Sequence, residues 1–297
     1  MNARFFWIAL SLIGISWIAN SIYAYSKQLD EPIFLDHYIE TSSQDTIQMT
    51  FYYLANKNDR TTVTSVSAGE WVGYPHSYHL PGEQVYNDQT FTNHVLRKIE
   101  VQFDTYLPES DHLEEFSFTE MDVYFSDGTQ ITAPIGMVKF RPFHYEESPL
   151  RQSSSTSSSS YKLAHYSVTE PLTVEAITTS FQEVLQDHFR IKVHTPDQPP
   201  SFSTFNDFKQ DDWNKLPARD LKDLTLPFTM DTSDFLNLYS ALDPDFKAVL
   251  DLRISISGTS ASGKKFSTAE GYIHYPYLEQ KDVNEIIKRK TKEGSDE

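Results

Sequence analysis

Two stretches 135 residues apart in this 297-residue chain carry the same punctuation, and they constrain its fold more than anything else in it. The first is Asp127-Gly-Thr-Gln-Ile-Thr-Ala-Pro-Ile-Gly-Met-Val-Lys-Phe140; the second is Ser262-Gly-Lys-Lys-Phe-Ser-Thr-Ala-Glu-Gly-Tyr-Ile-His-Tyr275. Superposed, Gly128 falls on Gly263 and Gly136 on Gly271, while Ile131, Val138 and Phe140 fall on Phe266, Ile273 and Tyr275. An X-Gly pair followed by polar/apolar alternation is a hairpin signal, because glycine accepts the positive φ that a tight turn demands. The second glycine, inside the alternating run, marks a bulge or a close backbone approach.

Weaker echoes run in the same order. Glu31-Pro-Ile-Phe-Leu-Asp36 is matched by Glu170-Pro-Leu-Thr-Val-Glu175, and Asp45–Phe51 by Asp187–Val193. Leu80-Pro81 and Leu216-Pro217 each follow a tryptophan, Trp71 and Trp213. The ordered set predicts an internal duplication. Strands are expected over Thr46–Ala55, Thr61–Ala68, Ile99–Tyr106 and Phe116–Phe125, with Asn56–Arg60 as a hairpin loop between the first two. Val174, Ile177, Phe181, Leu185 and His188 recur at helical spacing, but the repeat register predicts strand up to Thr179. Gln280–Lys290 reads as a helix with acids early and Lys288-Arg-Lys290 late, complementing the helix dipole.

The expected fold is therefore mostly β: two tandem, Ig-like antiparallel β-sandwich domains and a short C-terminal helix. The expected boundaries are 1–27 for an N-terminal anchor, 31–145 for repeat 1 and 161–278 for repeat 2. Residues 146–160 form a Ser-rich linker, and 279–297 a terminal helix with a polar tail. Gln152-Ser-Ser-Ser-Thr-Ser-Ser-Ser-Ser160 is read as flexible coil. A flexible joint predicts two independent melting transitions.

Composition narrows the function classes. With 25 basic and 42 acidic residues, the net charge of −17 excludes nucleic acid as a partner, since phosphate neutralisation needs clustered Lys and Arg. The chain has no cysteine and no Asn-x-Ser/Thr sequon, which points away from disulfide-stapled eukaryotic secretion and toward a Gram-positive bacterial envelope.

Export itself is read from residues 5–24, Phe5-Phe-Trp-Ile through Ile22-Tyr-Ala24, which carry no charge. Twenty residues at 1.5 Å each would span about 30 Å, the thickness of a bilayer's hydrocarbon. Arg4 before the span and Asp30, Glu31 and Asp36 after it place the bulk of the chain outside the cell. The competing reading is a signal peptide cleaved near Ser26, after which the protein would be secreted.

Chemistry-bearing motifs are few. Trp71-Val-Gly-Tyr-Pro-His-Ser-Tyr-His-Leu-Pro81 is the densest cluster. Trp71, Tyr74 and Tyr78 could present a stacking platform for sugar or peptide, and His76 with His79 could share a metal. Ser262-Gly-Lys-Lys265 satisfies Ser-x-x-Lys, but in a hairpin turn rather than at a helix start, and it lacks a Lys-Thr-Gly partner. The acidic pairs Asp211/Asp212, Asp231/Asp234 and Asp243/Asp245 lack calcium-loop spacing. No nucleotide fingerprint or other cofactor motif occurs.

The sequence reading is a membrane-anchored extracellular protein with a binding, structural or regulatory role and no catalytic motif. Its expected partners are the membrane, through the N-terminal helix, and a cell-wall polymer or another membrane protein. Two alternatives stand beside it: an extracellular hydrolase working through His76/His79, and an accessory sensor subunit of a membrane complex.

Overall fold

The computed structural model of the chain describes residues 3–42, 47–76, 87–103, 115–141, 147–158, 161–185, 188–198 and 210–293. A helix, α1 (Ala3–Tyr25), opens the chain, and its segment Phe5–Tyr23 is long and apolar enough to cross a membrane. The first half then supplies β1 (Ile33–Phe34), β2 (His37–Thr41), β3 (Ile47–Asn56), β4 (Val63–Ala68) and β5 (Trp71–Pro75). It continues with β6 (Asn87–Thr90), β7 (His94–Phe103), β8 (Phe116–Phe125) and β9 (Gln130–Phe140). The second half supplies β10 (Leu150–Ser157), β11 (Tyr161–Val168), β12 (Leu172–Thr179), a one-turn α2 (Gln182–Leu185) and β13 (Phe189–His194). After these come β14 (Arg219–Asp220), β15 (Phe228–Met230), β16 (Phe235–Leu242), β17 (Val249–Ser260), β18 (Lys265–His274) and α3 (Gln280–Glu293).

The first half is a curled sheet in the order β1-β3-β7-β5-β4-β8-β9-β2. Period-two alternation builds its core. Ile47, Met49, Phe51 and Tyr53 of β3 point inward to meet Val101 and Phe103 of β7 and Met121, Val123, Ile135 and Val138 of the β8–β9 hairpin. The segment 33–41 closes the curl, since β1 pairs antiparallel with β3 while β2 pairs parallel with β9.

The second half is a two-layer sandwich. β12, β17 and β18 lie over β10-β11-β16-β13-β14, with Val174, Leu236, Leu238, Leu252, Ile254 and Ile256 fully buried between them.

The halves are not joined through a flexible linker. β2 lies parallel to β9 on one side and to β17 on the other, so one 13-stranded sheet runs through both. A third core cluster also crosses the boundary. On the outer face of β3 and β7, Tyr52, Leu54 and Leu96 are covered by Leu278, Val283 and Ile286 from the C-terminal segment, with Leu35 and Val249 completing the cluster. The backbone N–H of Glu279 bonds Asp282 Oδ2 at 2.8 Å, capping α3 at its start. At the other end Arg289 and Lys290 reach Asp36 at 2.7 and 2.5 Å.

Several sequence expectations change here. The Ser-rich run is an edge strand through Ser157, paired with β11, rather than coil. Its side chains stand in water, so backbone pairing holds it, helped by the Ser153 hydroxyl donating to His165 O at 3.1 Å. The loop 56–60 is no hairpin, because β3 pairs with β1 and β7 while β4 pairs with β5 and β8. β7 begins at His94, earlier than expected, and runs to Phe103, beyond which the expected residues 104–106 lie outside the described ones.

The glycine correspondence holds at the turns. Phe125 N–H bonds Thr129 O at 2.9 Å and Ser260 N–H bonds Lys264 O at 2.8 Å, with φ of 88° at Gly128 and 78° at Gly263. It fails at the second pair. Gly136 has φ of 91° and lies where a Cβ would sit 2.6 Å from His37 O, whereas Gly271 is open and has no positive φ. Segments 31–36 and 170–175 each hold antiparallel strand, β1 on β3 and the start of β12 between β15 and β17, but the strands that follow differ: β2 pairs parallel with β9 and β17, whereas β12 continues antiparallel on β17. The strand ending at Thr179 and the helix starting at Gln280 stand where the sequence placed them.

Candidate functional site

The sequence-predicted cluster does not assemble on one surface. Trp71 and Tyr74 are three apart on β5, and strand alternation sends them to opposite faces. Trp71 is half-buried, with one ring face stacked on Phe116 at 4.3 Å between centroids. Tyr74 is exposed. The His76 N–H bonds Glu100 O at 2.7 Å. Tyr78 and His79 lie outside the described residues. Among those described, no three His, Asp or Glu side chains converge as a metal set. Ser262 lies in the β17–β18 turn, its Oγ 2.7 Å from Ser260 Oγ. Asp231/Asp234 and Asp243/Asp245 are turn-forming pairs bonded to their own backbone.

The structure instead opens a cleft of about 300 Å³ at the seam between the halves. The alternation of β3 and β7 explains why it forms there. On their outer face the residues nearest α3 are apolar (Tyr52, Leu54, Leu96) and become covered, while those farther along (Gln48, Thr50, Lys98, Glu100) are polar and stay open. The paired strands β2 and β17 add Ile39, Val249 and Asp251, and the chain leaving β18 adds Tyr275.

One wall is internally paired. Lys98 Nζ lies 2.6 Å from Glu100 Oε1, and Gln48 Nε2 bonds Glu100 Oε2 at 3.3 Å. The hydrogen bond to Glu100 holds the Lys98 ammonium above its ordinary pKa. The opposite wall is different. Asp251 has no hydrogen-bond or ion-pair partner among the described residues, and burial raises its carboxyl pKa against the longer-range pull of Arg253. Tyr275 is half-exposed, its hydroxyl bonded to Thr50, and burial followed by the Asp251 charge pushes its pKa up. Its ring lies 5.5 Å from that of Tyr52.

Two buried groups frame the seam. His37 is fully enclosed. Its Nε2 accepts the Tyr52 N–H at 2.9 Å, so the proton sits on Nδ1, which faces the Leu35 and Ile135 carbonyls without reaching good hydrogen-bond geometry. Burial lowers its pKa to about 4. On the other face of β2, the buried Glu40 is paired with Arg141 at 3.3 Å and with the Ser180 hydroxyl.

The exit of α1 is also fixed. His94 Nε2 bonds Lys27 O at 2.9 Å, and the Asn56 side chain makes two 2.8 Å bonds to the Leu29 backbone.

Sequence reasoning missed the cleft because its members come from five separate segments, β2, β3, β7, β17 and the chain after β18, none of which reads as a site by itself. No family model matches the chain, and no curated protein does. A solved structure, the collagen-binding domain of Erysipelothrix rhusiopathiae surface protein RspB, aligns over 80% of this chain and 94% of its own at 10% identity. Its TM-score is 0.20, too low for the overlap to bear on architecture or function.

Proposed function

We propose that this protein is a membrane-tethered binding protein of a bacterial envelope, its body outside the cell, holding its ligand in the seam cleft. The observation that carries the reading is the cleft itself: a polar recess with an unpaired carboxylate and an aromatic rim. Specific recognition sites combine a few such polar groups with aromatic surface. The apolar helix Phe5–Tyr23 supports the tether. Protease added to intact protoplasts should digest everything after about Lys27. Thr50→Arg, which fills the cleft, should abolish retention of envelope material by the full chain. Protection of the C-terminal half from protease, or retention unchanged in Thr50→Arg, would refute the proposal.

The clamp at Lys27 and Leu29 supports a second reading, an accessory sensor. A rigid joint passes movement of the body to the helix, which a loose tether would not. Replacing α1 with an unrelated anchor should preserve ligand retention in both readings and abolish partner signalling only in the sensor.

A further inference from the structure

We infer that the seam cleft selects ligands carrying an ammonium group, which Asp251 and the face of Tyr275 receive together. The inference rests on the binding reading above and adds the chemistry of what is bound. Three groups lining the cleft bear charge, Lys98, Glu100 and Asp251. Lys98 and Glu100 satisfy each other at 2.6 Å and leave no net demand on a ligand. Outside the lining, Arg253 attracts Asp251 and Glu40 repels it at longer range, and Arg253 makes no ion pair with it. Asp251 is thus the one cleft charge without a close partner, and it sits in a largely desolvated recess.

A desolvated carboxylate without a counter-ion is an unfavourable arrangement that a bound cation relieves. An arriving anion would meet the opposite, since Glu100 and Asp251 face it from both walls. The aromatic component points the same way. The Tyr275 ring is half-exposed beside Asp251 and backed by Tyr52, and a cation against such a face gains from the ring's electron-rich surface. Gln48 and Thr50 on the far wall offer neutral hydrogen-bonding groups to whatever polar chain carries the ammonium. Ile39, Met49 and Val249 give the recess an apolar floor that suits its methylene carbons.

The full-length chain in detergent micelles tests this with three probes of similar size: ethanolamine, its trimethylated form choline, and neutral ethylene glycol. Saturation-transfer NMR reads binding at millimolar probe concentrations. Both ammonium probes are expected to give signal and the glycol none. Asp251→Asn, nearly isosteric, should weaken ammonium binding at least tenfold while leaving the melting temperature within a few degrees. Tyr275→Leu should weaken choline more than ethanolamine, because the methylated cation relies more on the ring. Equal signal from the glycol, no ammonium signal at all, or binding unchanged in Asp251→Asn would each overturn the inference. Should Thr50→Arg still abolish retention of envelope material while these probes fail, the cleft would stand as a binding site and only its ammonium preference would fall. If retention is also unaffected, the cleft reading itself falls.

Discussion

Acid should destabilise this protein through one residue more than any other, His37. Its imidazole is enclosed in the seam with a pKa of about 4, against about 6.5 in an unfolded chain. Burial is the main cause, and the nearby charges of Asp36 and Lys290 oppose each other. Because the folded value is the lower one, the unfolded chain takes up the proton first as pH falls. The stabilisation is fully present above pH 6.5 and is lost as pH drops through 4. At pH 5 the loss works out at about 2 kcal/mol, growing to roughly 3 kcal/mol by pH 4. Urea unfolding of the full chain, followed by aromatic fluorescence at pH 7.5 and 5, measures this against His37→Gln. The variant should be less stable at pH 7.5, since Tyr52 N–H loses a well-placed acceptor. It lacks the titrating ring, so the gap to the parent should shrink by about 2 kcal/mol at pH 5. All other titrating groups are shared and cancel in the difference. A gap that stays constant across this range would show that His37 does not carry the acid response.

Further expectations concern the seam and its closure. Gly136→Ala combines a positive φ with a Cβ 2.6 Å from His37 O, and should cost at least about 2 kcal/mol in urea titrations, whereas Gly271→Ala should be nearly neutral. Calorimetry should show one cooperative transition, lowered by either Gly128→Val or Gly263→Val, because the sheet is continuous through β2; two separable transitions would mean that the seam does not couple the halves. Asp36→Ala leaves Lys290, itself 9% exposed, without its partner, and should cost about 3 kcal/mol. High salt should recover little of that loss.

Local features were legible in the sequence and long-range ones were not. The β17–β18 turn and the start of α3 at Gln280 follow from glycine placement and from the charge distribution along a helix, and the end of β12 at Thr179 was read from the repeat register. β10 was hidden because serine side chains signal neither strand nor core, and its pairing rests mainly on the backbone. The seam was hidden for a different reason. His37–Thr41 reads as any half-buried strand, and nothing in five residues states that both its edges pair in parallel with segments about 100 and 210 residues away. The cleft inherits that blindness, since Asp251 looks like the polar member of an alternating strand until β2 brings it opposite Lys98 and Glu100. Trp71 and Tyr74 erred the other way. They stand close in sequence, but strand alternation separates them.

The cluster under α3 also sets a schedule for the chain's folding during synthesis. Leu35, Tyr52 and Leu54 are made early, and Val283 and Ile286, which cover them, follow more than 200 residues later. Closing so long a loop adds little to the equilibrium cost, since each doubling of its length costs only about 0.6 kcal/mol. It costs time instead, because contacts this distant in sequence form slowly. Throughout that interval the outer face of β3 and β7 presents a bare apolar strip. A chain stalled before residue 283 keeps that strip uncovered, a ready target for chaperones and proteases. The fold is complete only once α3 docks, and a copy truncated before it is marked for removal by its own unfinished core.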